Sequence, residues 1–462
     1  MVKGKVISMH TKDDDFRNEY ILYTIEELVP EDNLLRKVAK YVDFNFIYDL
    51  TKPYYSDKGR PAIDPVVLFK IPIIKCLMGI SSIRRTCEEI HLNIAYRWFM
   101  NLPFSEKVPD HSTYSKNYTQ RFLITDIYQK IFENVLNQII EHGLIDFTNI
   151  NIDSPHLKAS ANKKKFVEKV IEKEKSIFEK EMLDYINEER SKDKDNPLPP
   201  SSGSGTKRTK ESTTDPDAGW LNKGEKEKNF SYNAHTSCDK NGYILNTILK
   251  PSNIHDSQVF SEVYDSLIHN HKNEIVTIAI DAGYHSGPLI KHITDNGHLP
   301  LLPRKKAMGK KMYELYSTLT YDETNDVYVS PEGSFYRFIS VNRQGYRIYR
   351  NESKRELRIS IYHRYFDYVR ELRLSDYGKE IYSQRKETIE RCFADFKERH
   401  FGRYTHYRGL NKVRDHTLLS FASMNMKKMA NFLAKVTISL SSIRSLLPLF
   451  NNKKHFFHQS LS

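Results

Sequence analysis

The chain has 462 residues, which at about 100 to 200 residues per domain allows roughly two to four domains. Apolar residues make up 39% of it and charged residues 28%, so a fibrous or broadly disordered protein is excluded. The 71 Lys and Arg residues exceed the 59 Asp and Glu residues by 12, which favours a polyanionic partner, with nucleic acid as the first candidate.

The sequence predicts neither a membrane protein nor an exported one. Its two most apolar stretches, Phe69–Ile83 and Asn431–Phe450, contain lysine or arginine and never reach the roughly 18 uncharged residues of a spanning helix. No apolar segment of secretory length precedes the acidic run near the N-terminus. The four cysteines lie far apart without a CxxC pair, which argues against a disulfide framework and a thiolate zinc site. A cytoplasmic location is expected, on the nucleoid if the partner is DNA.

Residues 1–145 are predicted to form a separate helical domain that is a candidate for DNA binding. Apolar positions recur at helical spacing in Pro65–Cys76 and Tyr128–Ile140, and Asp64 before Pro65 is a helix start signal. The run Tyr96–Phe99 interleaves aromatic residues with arginine. Such a run either contacts DNA or packs in a core with snorkelling cations, and the sequence leaves both interpretations open.

Residues 163–212 are predicted to be a charged insertion. Ten Lys/Arg and ten Asp/Glu occupy residues 163–195, and apolar residues such as Phe166 and Val170 recur there at helical spacing. The following stretch, 195–212, is rich in Pro, Ser and Gly and is typical of a flexible linker. A helix followed by a linker is therefore expected.

From residue 146 strands alternate with helices. The predicted elements are a strand at Thr148–Asp153, a hairpin at Tyr232–Asp239 and Tyr243–Lys250 around an Asn-Gly turn, a helix at Ser257–Asn270 capped by Asp256, a strand at Ile275–Ile280, a helix at Pro288–Asp295 and a strand at Leu299–Leu302. The run Ile275–Ile280 is nearly uniformly apolar, as in a central strand that is buried on both faces. This order predicts an α/β fold for residues 146–304, with a mixed sheet flanked by helices.

The remaining residues are predicted to form two further parts. Residues 305–379 are rich in Tyr, Val, Ile and Arg and contain hairpin signals at Pro331–Gly333 and Gln344-Gly345, which indicate a β-rich insertion. Residues 380–462 begin with a predicted helix, Glu380–Arg399, that closes the sheet. The chain from residue 382 onwards contains fifteen Lys/Arg and only five Asp/Glu, so the positive charge is concentrated there.

Three acids in these elements are candidates for a shared site. Asp153 and Asp281 each follow a strand, and if the two strands are neighbours their carboxylates converge at one edge of the sheet. A third acid, Glu390, lies on the closing helix, seven residues before Lys397 and therefore on the same face. The apolar stripe that docks this helix is predicted at Ile389, Phe393 and Phe396.

Carboxylates without His or Cys partners suit a hard cation, Mg²⁺ or Mn²⁺, rather than zinc. Two such ions about 3.5 to 4 Å apart activate a water or a 3′ hydroxyl on one side of a phosphodiester and stabilise the leaving oxygen on the other. The basic balance of the chain complements such a site, because Lys and Arg hold phosphates. Because the chain has 59 acids, many sets of three could be chosen, and spacing alone does not identify a site. The residues around each acid are therefore needed as evidence.

Distinct local motifs accompany the acids. Asp281-Ala282-Gly283-Tyr284 follows the central strand, and one helix carries Tyr382, Arg385, Glu390 and Lys397. Further motifs are Asp153 with Ala159–Asn162, Thr214–Gly219, Tyr232–His235, His255-Asp256, Arg403–Leu410 and Gly59–Pro61. Over nearly its whole length the chain therefore resembles bacterial insertion-sequence transposases of the DDE class, which carry a Tyr, Arg, Glu, Lys signature around the last acid.

One spacing departs from that signature. The family places three residues between Arg and Glu, whereas four separate Arg385 from Glu390. Lys386 satisfies the three-residue spacing, so both Arg385 and Lys386 are candidates for the basic partner. Glu387 is the competing acid, but only Glu390 keeps the expected gap of six residues to Lys397.

The resemblance implies an RNase H-like core and a transposase that cuts DNA at the terminal inverted repeats of its element and joins the freed 3′ hydroxyls to target DNA. It implies binding of two metal ions by Asp153, Asp281 and Glu390, and phosphate contacts by Tyr382, Arg385 or Lys386, and Lys397. The β-rich insertion is expected to contact the transposon end, and a homodimer is expected on paired ends. The alternatives are a non-catalytic DNA-binding derivative and a nuclease or resolvase that cuts without joining.

Overall fold

A computed structural model describes residues 22–56, 58, 62–172, 179–200, 206–224, 227–303 and 318–458, with 171–172, 206–207 and 438–458 described by their backbone alone. The N-terminal region is helical, as predicted. Its helices are α1 (Ile25–Leu28), α2 (Leu34–Tyr41), α3 (Phe46–Thr51), α4 (Pro65–Met78), α5 (Ile83–Leu92), α6 (Ile94–Phe99), α7 (His111–Asn117) and α8 (Ile127–Glu141). The Asp64 carboxylate accepts hydrogen bonds from the first free amides of α4, so the predicted start signal is confirmed. The Gly59–Pro61 motif lies outside the described residues.

The centre of the molecule is a seven-stranded mixed sheet, which confirms the α/β prediction. The strands of this part of the chain are β1 (Asn149–Asp153), β2 (His156–Lys158), β3 (Phe166–Glu172), β4 (Thr206–Ser212), β5 (Gly219–Asn222), β6 (Lys228–Cys238), β7 (Ile244–Pro251), β8 (Thr277–Ile280) and β9 (Leu299–Leu301). The main sheet follows the order β2-β6-β1-β8-β9, with β5 and β7 also paired to β6. The pairs β1–β8 and β8–β9 are parallel, whereas β1 and β6 are antiparallel.

Helices cover both faces of this sheet. One face packs against α10 (Asp256–His271) and α11 (Gly287–Asp295), in a core that includes Ile152, Phe260 and Ile278. The other face shares a second core with the N-terminal helices and the closing helices. All four residues of β8 are buried, which confirms the predicted central strand. The predicted cap of α10 was wrong by one residue, because His255 caps the helix and Asp256 is its first residue.

The charged insertion differs from its prediction. Phe166–Glu172 and Thr206–Ser212 form a two-stranded antiparallel ribbon, β3–β4, and only Glu179–Lys192 is helical (α9). The helix prediction failed at Phe166 and Val170 because a spacing of four residues fits one face of a helix and also one face of a strand. The linker prediction failed at its end, where β4 pairs with β3. The ribbon is outside the seven-stranded sheet, as expected of an insertion.

The β-rich insertion is confirmed as an antiparallel sheet in chain order. Its strands are β10 (Thr320–Asp322), β11 (Val327–Val329), β12 (Phe335–Val341), β13 (Tyr346–Arg350) and β14 (Glu356–Ser360). Both predicted turns are present, since Gly333 and Gly345 join adjacent strands at φ angles of 80° and 76°, where glycine is favoured. Residues 304–317, which include the basic residues Arg304, Lys305, Lys306, Lys310 and Lys311, lie outside the described part of the chain.

The closing helices follow this insertion. They are α12 (His363–Leu374), α13 (Asp376–Arg385), a π-helical turn (Lys386–Glu390), α14 (Arg391–Arg399) and α15 (Leu410–His458). Ile389, Phe393 and Phe396 are buried, which confirms the predicted docking stripe. Phe396 packs on Phe421 of α15, with ring centres 4.5 Å apart. Among the described helices, none is by itself long and apolar enough to cross a membrane, and one bent pair, α4 with α5, meets that test by length and composition together.

Candidate active site

Asp153 and Asp281 follow two neighbouring parallel strands at the same edge of the sheet. The register of β1 and β8 places Ile152 beside Ile280, so the next residue on each strand is one of the two acids. Parallel strands end on the same side, which brings groups 128 positions apart in sequence (281 minus 153) close together in space. The predicted adjacency of these strands is confirmed.

The Arg385 guanidinium joins two of the three candidate acids. Its Nη2 lies 2.6 Å from Oδ2 of Asp153, and its Nη1 lies 3.9 Å from Oε1 of Glu390. The arginine side chain is 6% exposed, the Asp153 side chain 24% and the Glu390 side chain 52%. Glu390 therefore faces solvent from the rim of the site, whereas the arginine lies buried beneath it.

The π-helical turn explains the unusual spacing between Arg385 and Glu390. Five positions along an α-helix rotate a side chain by about 500°, which leaves two such residues about 140° apart around the axis. The chain forms a π-helix at Lys386–Glu390, in which residues five apart are one turn apart. The extra residue is thus absorbed within one turn, and Glu390 returns to the face that carries Arg385.

Burial of Asp153 makes its negative charge costly. Desolvation raises the pKa of the Asp153 carboxyl above its ordinary value, although the Arg385 charge opposes the shift and the Asp281 charge adds to it. The carboxylate Oδ1 also accepts a hydrogen bond of 2.8 Å from the backbone amide of Ser154. This edge of the sheet therefore favours a positive charge beside the two aspartates, whether from arginine or from a metal.

The other predicted residues occupy distinct positions around this edge. Tyr382 is half-buried, and the Arg373 guanidinium lies 4.0 Å from its ring centre. Burial raises the pKa of the Tyr382 hydroxyl; the charge of Arg385 opposes this rise, and the charges of the two aspartates add to it. Lys386 and Glu387 are exposed, and Lys397 is partly exposed. Of the two basic candidates, Arg385 is the one that contacts the acids.

A polar network behind Asp153 was missed by the sequence analysis. Asp256, the first residue of α10, accepts a hydrogen bond of 2.9 Å from the Ser154 hydroxyl, and His235 Nδ1 lies 3.8 Å from the same carboxylate. His235 is fully buried, and desolvation lowers its pKa to about 4, so the ring is neutral at pH 7. The signal in the sequence is the pair His255-Asp256, which is one of the family-like motifs and whose Asp256 was predicted to cap the helix.

The side chains at this edge supply the ligand type that a hard divalent cation prefers. Carboxylate oxygens from two strand ends and one helix are Mg²⁺ or Mn²⁺ ligands. In the part of the chain that the structure describes, however, no three His, Cys, Asp or Glu side chains are close enough together to hold a metal ion. The guanidinium of Arg385 instead supplies the positive charge between Asp153 and Glu390, so joint metal binding by the acids requires this arginine to move.

Comparison with protein families assigns most of the chain. Residues 23–120 match a family described as a transposase domain (DUF772), and residues 138–426 match the transposase DDE domain. No curated protein and no solved structure matches the chain. The second family covers the mixed sheet, the β-rich insertion and the acid-bearing helix. It also covers most of that part of α15 whose side chains the structure describes. The chain therefore belongs to the DDE transposase family.

Proposed function

We propose that the protein is an active transposase with an RNase H-like core, which binds the terminal inverted repeats of its insertion sequence, cleaves the DNA there and joins the ends to target DNA. The observation that carries this proposal is the placement of Asp153 and Asp281 side by side at one sheet edge, with Glu390 brought to the same edge through Arg385. The basic excess of the chain supports a DNA substrate.

Asp153, Asp281 and Glu390 would hold two Mg²⁺ or Mn²⁺ ions. When bound, such ions activate the attacking oxygen and stabilise the leaving oxygen of a phosphodiester. The backbone amide of Ser154, which donates a hydrogen bond to the Asp153 carboxylate, would help to hold that ligand in place. Arg385, released from the acids, is within reach of the phosphate that enters the site, and a guanidinium binds phosphate oxygens in a bidentate manner.

The surrounding residues would position the DNA. Tyr382 and Lys397, together with the exposed Lys386, are proposed to contact phosphates near the cleaved bond. On the β-rich insertion, Phe335 and Ile339 are about half exposed and flank the exposed Arg337 on one face of β12. Aromatic and cationic side chains on one open surface suit a transposon end. The helical region before residue 145 is proposed to bind DNA or to form the homodimer that brings two ends together in the cytoplasm.

The reaction is tested by end cleavage in Mg²⁺ with labelled DNA that carries the element's own inverted repeats. Asp281→Asn is expected to lower the cleavage rate about a thousandfold, because metal binding contributes several kcal/mol of transition-state stabilisation. Glu387→Gln removes an exposed acid from the same helix and is the matched control, with cleavage expected to remain normal. Both variants should still bind the DNA.

Two results separate this proposal from its alternatives. Full cleavage by Asp281→Asn would refute the assignment of the acids. Cleavage without covalent joining to a target plasmid would indicate a nuclease or resolvase, whereas binding without cleavage by the unaltered protein would indicate a non-catalytic derivative.

A further inference from the structure

A second basic region lies beyond the acids, in an open groove of about 820 Å³. Six of its seven lining residues are polar, and they include the three lysines Lys158, Lys163 and Lys228 against one acid, Glu227. Sites for small metabolites are mostly enclosed and apolar, so this open polar groove is of another type. A long, hydrophilic and anionic ligand fits it better.

Two of the three groove lysines, Lys158 and Lys163, are available to an anionic ligand. Some lysines elsewhere on the surface pair with carboxylates, as Lys192 does with Glu189 and Lys291 with Asp295. Among the described residues, none forms an ion pair with the side chain of Lys158 or of Lys163. The adjacent Lys164 and Lys165 are exposed as well. Unpaired like charges in close sequence repel one another, and this arrangement favours an anionic ligand.

Two chain segments that leave the candidate active site meet at this groove. Asp153 leads directly into β2, which ends at Lys158 on the groove. The helix α14, which starts after Glu390, leads into residues 403–405, and these pair with β2 through hydrogen bonds between Lys158 and its partners Arg403 and Thr405. Five residues of extended chain span at most about 17 Å. The groove and the acids are therefore close enough to contact one DNA molecule.

Residues 403–410, which begin with the segment that pairs with Lys158, are held in place by hydrogen bonds. The Arg408 guanidinium donates a hydrogen bond to the carbonyl oxygen of Ser160, and the Tyr404 hydroxyl donates to the Ser160 hydroxyl. Asp215 accepts from the backbone amide of Gly409, and Asp217 from that of Leu410. Because these bonds hold the segment that pairs with Lys158, the backbone on this side of the groove does not need to be ordered by a ligand, which reduces the entropic cost of binding.

We infer that this groove, lined by Lys158, Lys163 and Lys228, binds the sugar-phosphate backbone of the DNA duplex whose end lies in the acid site. The inference rests on the proposed function for the identity of the DNA. B-form DNA rises about 3.4 Å per base pair, so the groove contacts phosphates within about five base pairs of the cleaved bond. The lysines make no base-specific contacts there, and their role is to position the duplex relative to the acids.

The test uses the full-length protein, without divalent metal, and a fluorescent duplex that carries the element's end. The double variant Lys158→Gln/Lys163→Gln is expected to bind more weakly, and the slope of log affinity against log salt should fall in magnitude by about 1.8, or about 0.9 for each lost phosphate contact. The matched control is Lys272→Gln/Lys291→Gln, which removes two lysines from the α10–α11 side of the sheet and should leave the slope unchanged.

A second measurement locates the contact. Single phosphates near the cleavage site are replaced, one at a time, by neutral methylphosphonates. The unaltered protein is expected to lose affinity at one or two positions within about five base pairs of the cleaved bond, and the groove variant should no longer respond at these positions.

Three outcomes overturn the inference: an unchanged slope in the folded groove variant, an equal fall of the slope in the control, or a response to methylphosphonates that the groove variant retains. These results are independent of the reaction. If the unaltered protein binds DNA through the groove but does not cut it, only the proposed catalysis is refuted. If the unaltered protein cuts DNA but the groove variant has an unchanged salt slope, only the proposed role of the groove is refuted.

Discussion

Two regions that are connected by a single short strand use positive charge in opposite ways. At the acid edge one arginine, Arg385, is buried and bound to Asp153 at 2.6 Å. In the groove at the end of β2, Lys158 and Lys163 are exposed and without a described carboxylate partner. The buried cation is held by definite contacts, whereas the two lysines face solvent.

This difference determines how each region responds when one of its charged residues is replaced. A buried charge is stabilised by a few definite partners, so the loss of one partner leaves the other uncompensated at a cost of several kcal/mol. Exposed charges act together through a screened field, and each contributes a small, salt-dependent increment. We therefore expect abrupt effects at the acid edge and graded effects in the groove.

The largest effect is expected from a change in the phase of the acid-bearing helix. Deletion of Glu387 removes one residue of the π-helical turn, so the turn can become α-helical while Arg385 and Glu390 stay on one face. Deletion of Ala394, in the regular part of α14, rotates Lys397 and Phe396 by about 100° relative to Glu390. End cleavage should persist within about tenfold in the first variant and be lost in the second. Loss of cleavage in a folded Glu387 deletion would contradict this account of the turn.

A smaller effect is expected from the loss of the buried cation. Arg385→Gln leaves the Asp153 carboxylate without its partner, and we expect the free energy of unfolding to fall by about 3 kcal/mol, at the low end for buried ion pairs because Asp153 is partly exposed. Lys386→Gln, the matched control on the adjacent exposed position, should change it by less than about 0.5 kcal/mol. Urea denaturation of both variants measures the two values. Equal changes would mean that the arginine contact has no special role in stability.

The sequence predicts the strands at this edge well and the contacts between them poorly. The apolar run before Asp281 and the alternation before Asp153 identify β8 and β1, although both strands are buried on both faces and the alternation in β1 comes from Asn151, which is polar but buried. The ion pair of Arg385 with Asp153 joins residues 232 positions apart in sequence (385 minus 153) and has no local signal. The irregular spacing to Glu390 is visible in the sequence, but a π-helical turn is one of several ways to accommodate it.

A buried acid outside both regions separates the effect of burial from that of the site. Asp415, in α15, accepts hydrogen bonds from the Tyr118 hydroxyl and from Arg414, at 3.0 and 2.9 Å. Burial nevertheless raises its pKa to about 6, above the 3.8 of an exposed aspartate. The folded state therefore binds this proton more tightly than the unfolded state, and the stability linked to Asp415 decreases as the pH rises from about 4 through about 6.

Asp415→Asn cannot ionise and should escape this decrease. The free energy of unfolding of the variant, relative to the unaltered protein, is expected to increase by up to about 3 kcal/mol between about pH 4 and about pH 7. Asp376→Asn, at a fully exposed position, is the control for the loss of one carboxylate. Urea denaturation at the two pH values measures the difference. A difference in the free energy of unfolding that does not change with pH would show that Arg414 and Tyr118 offset the cost of burying Asp415 completely. Burial alone would then not explain the loss of stability expected when Asp153 loses its arginine partner.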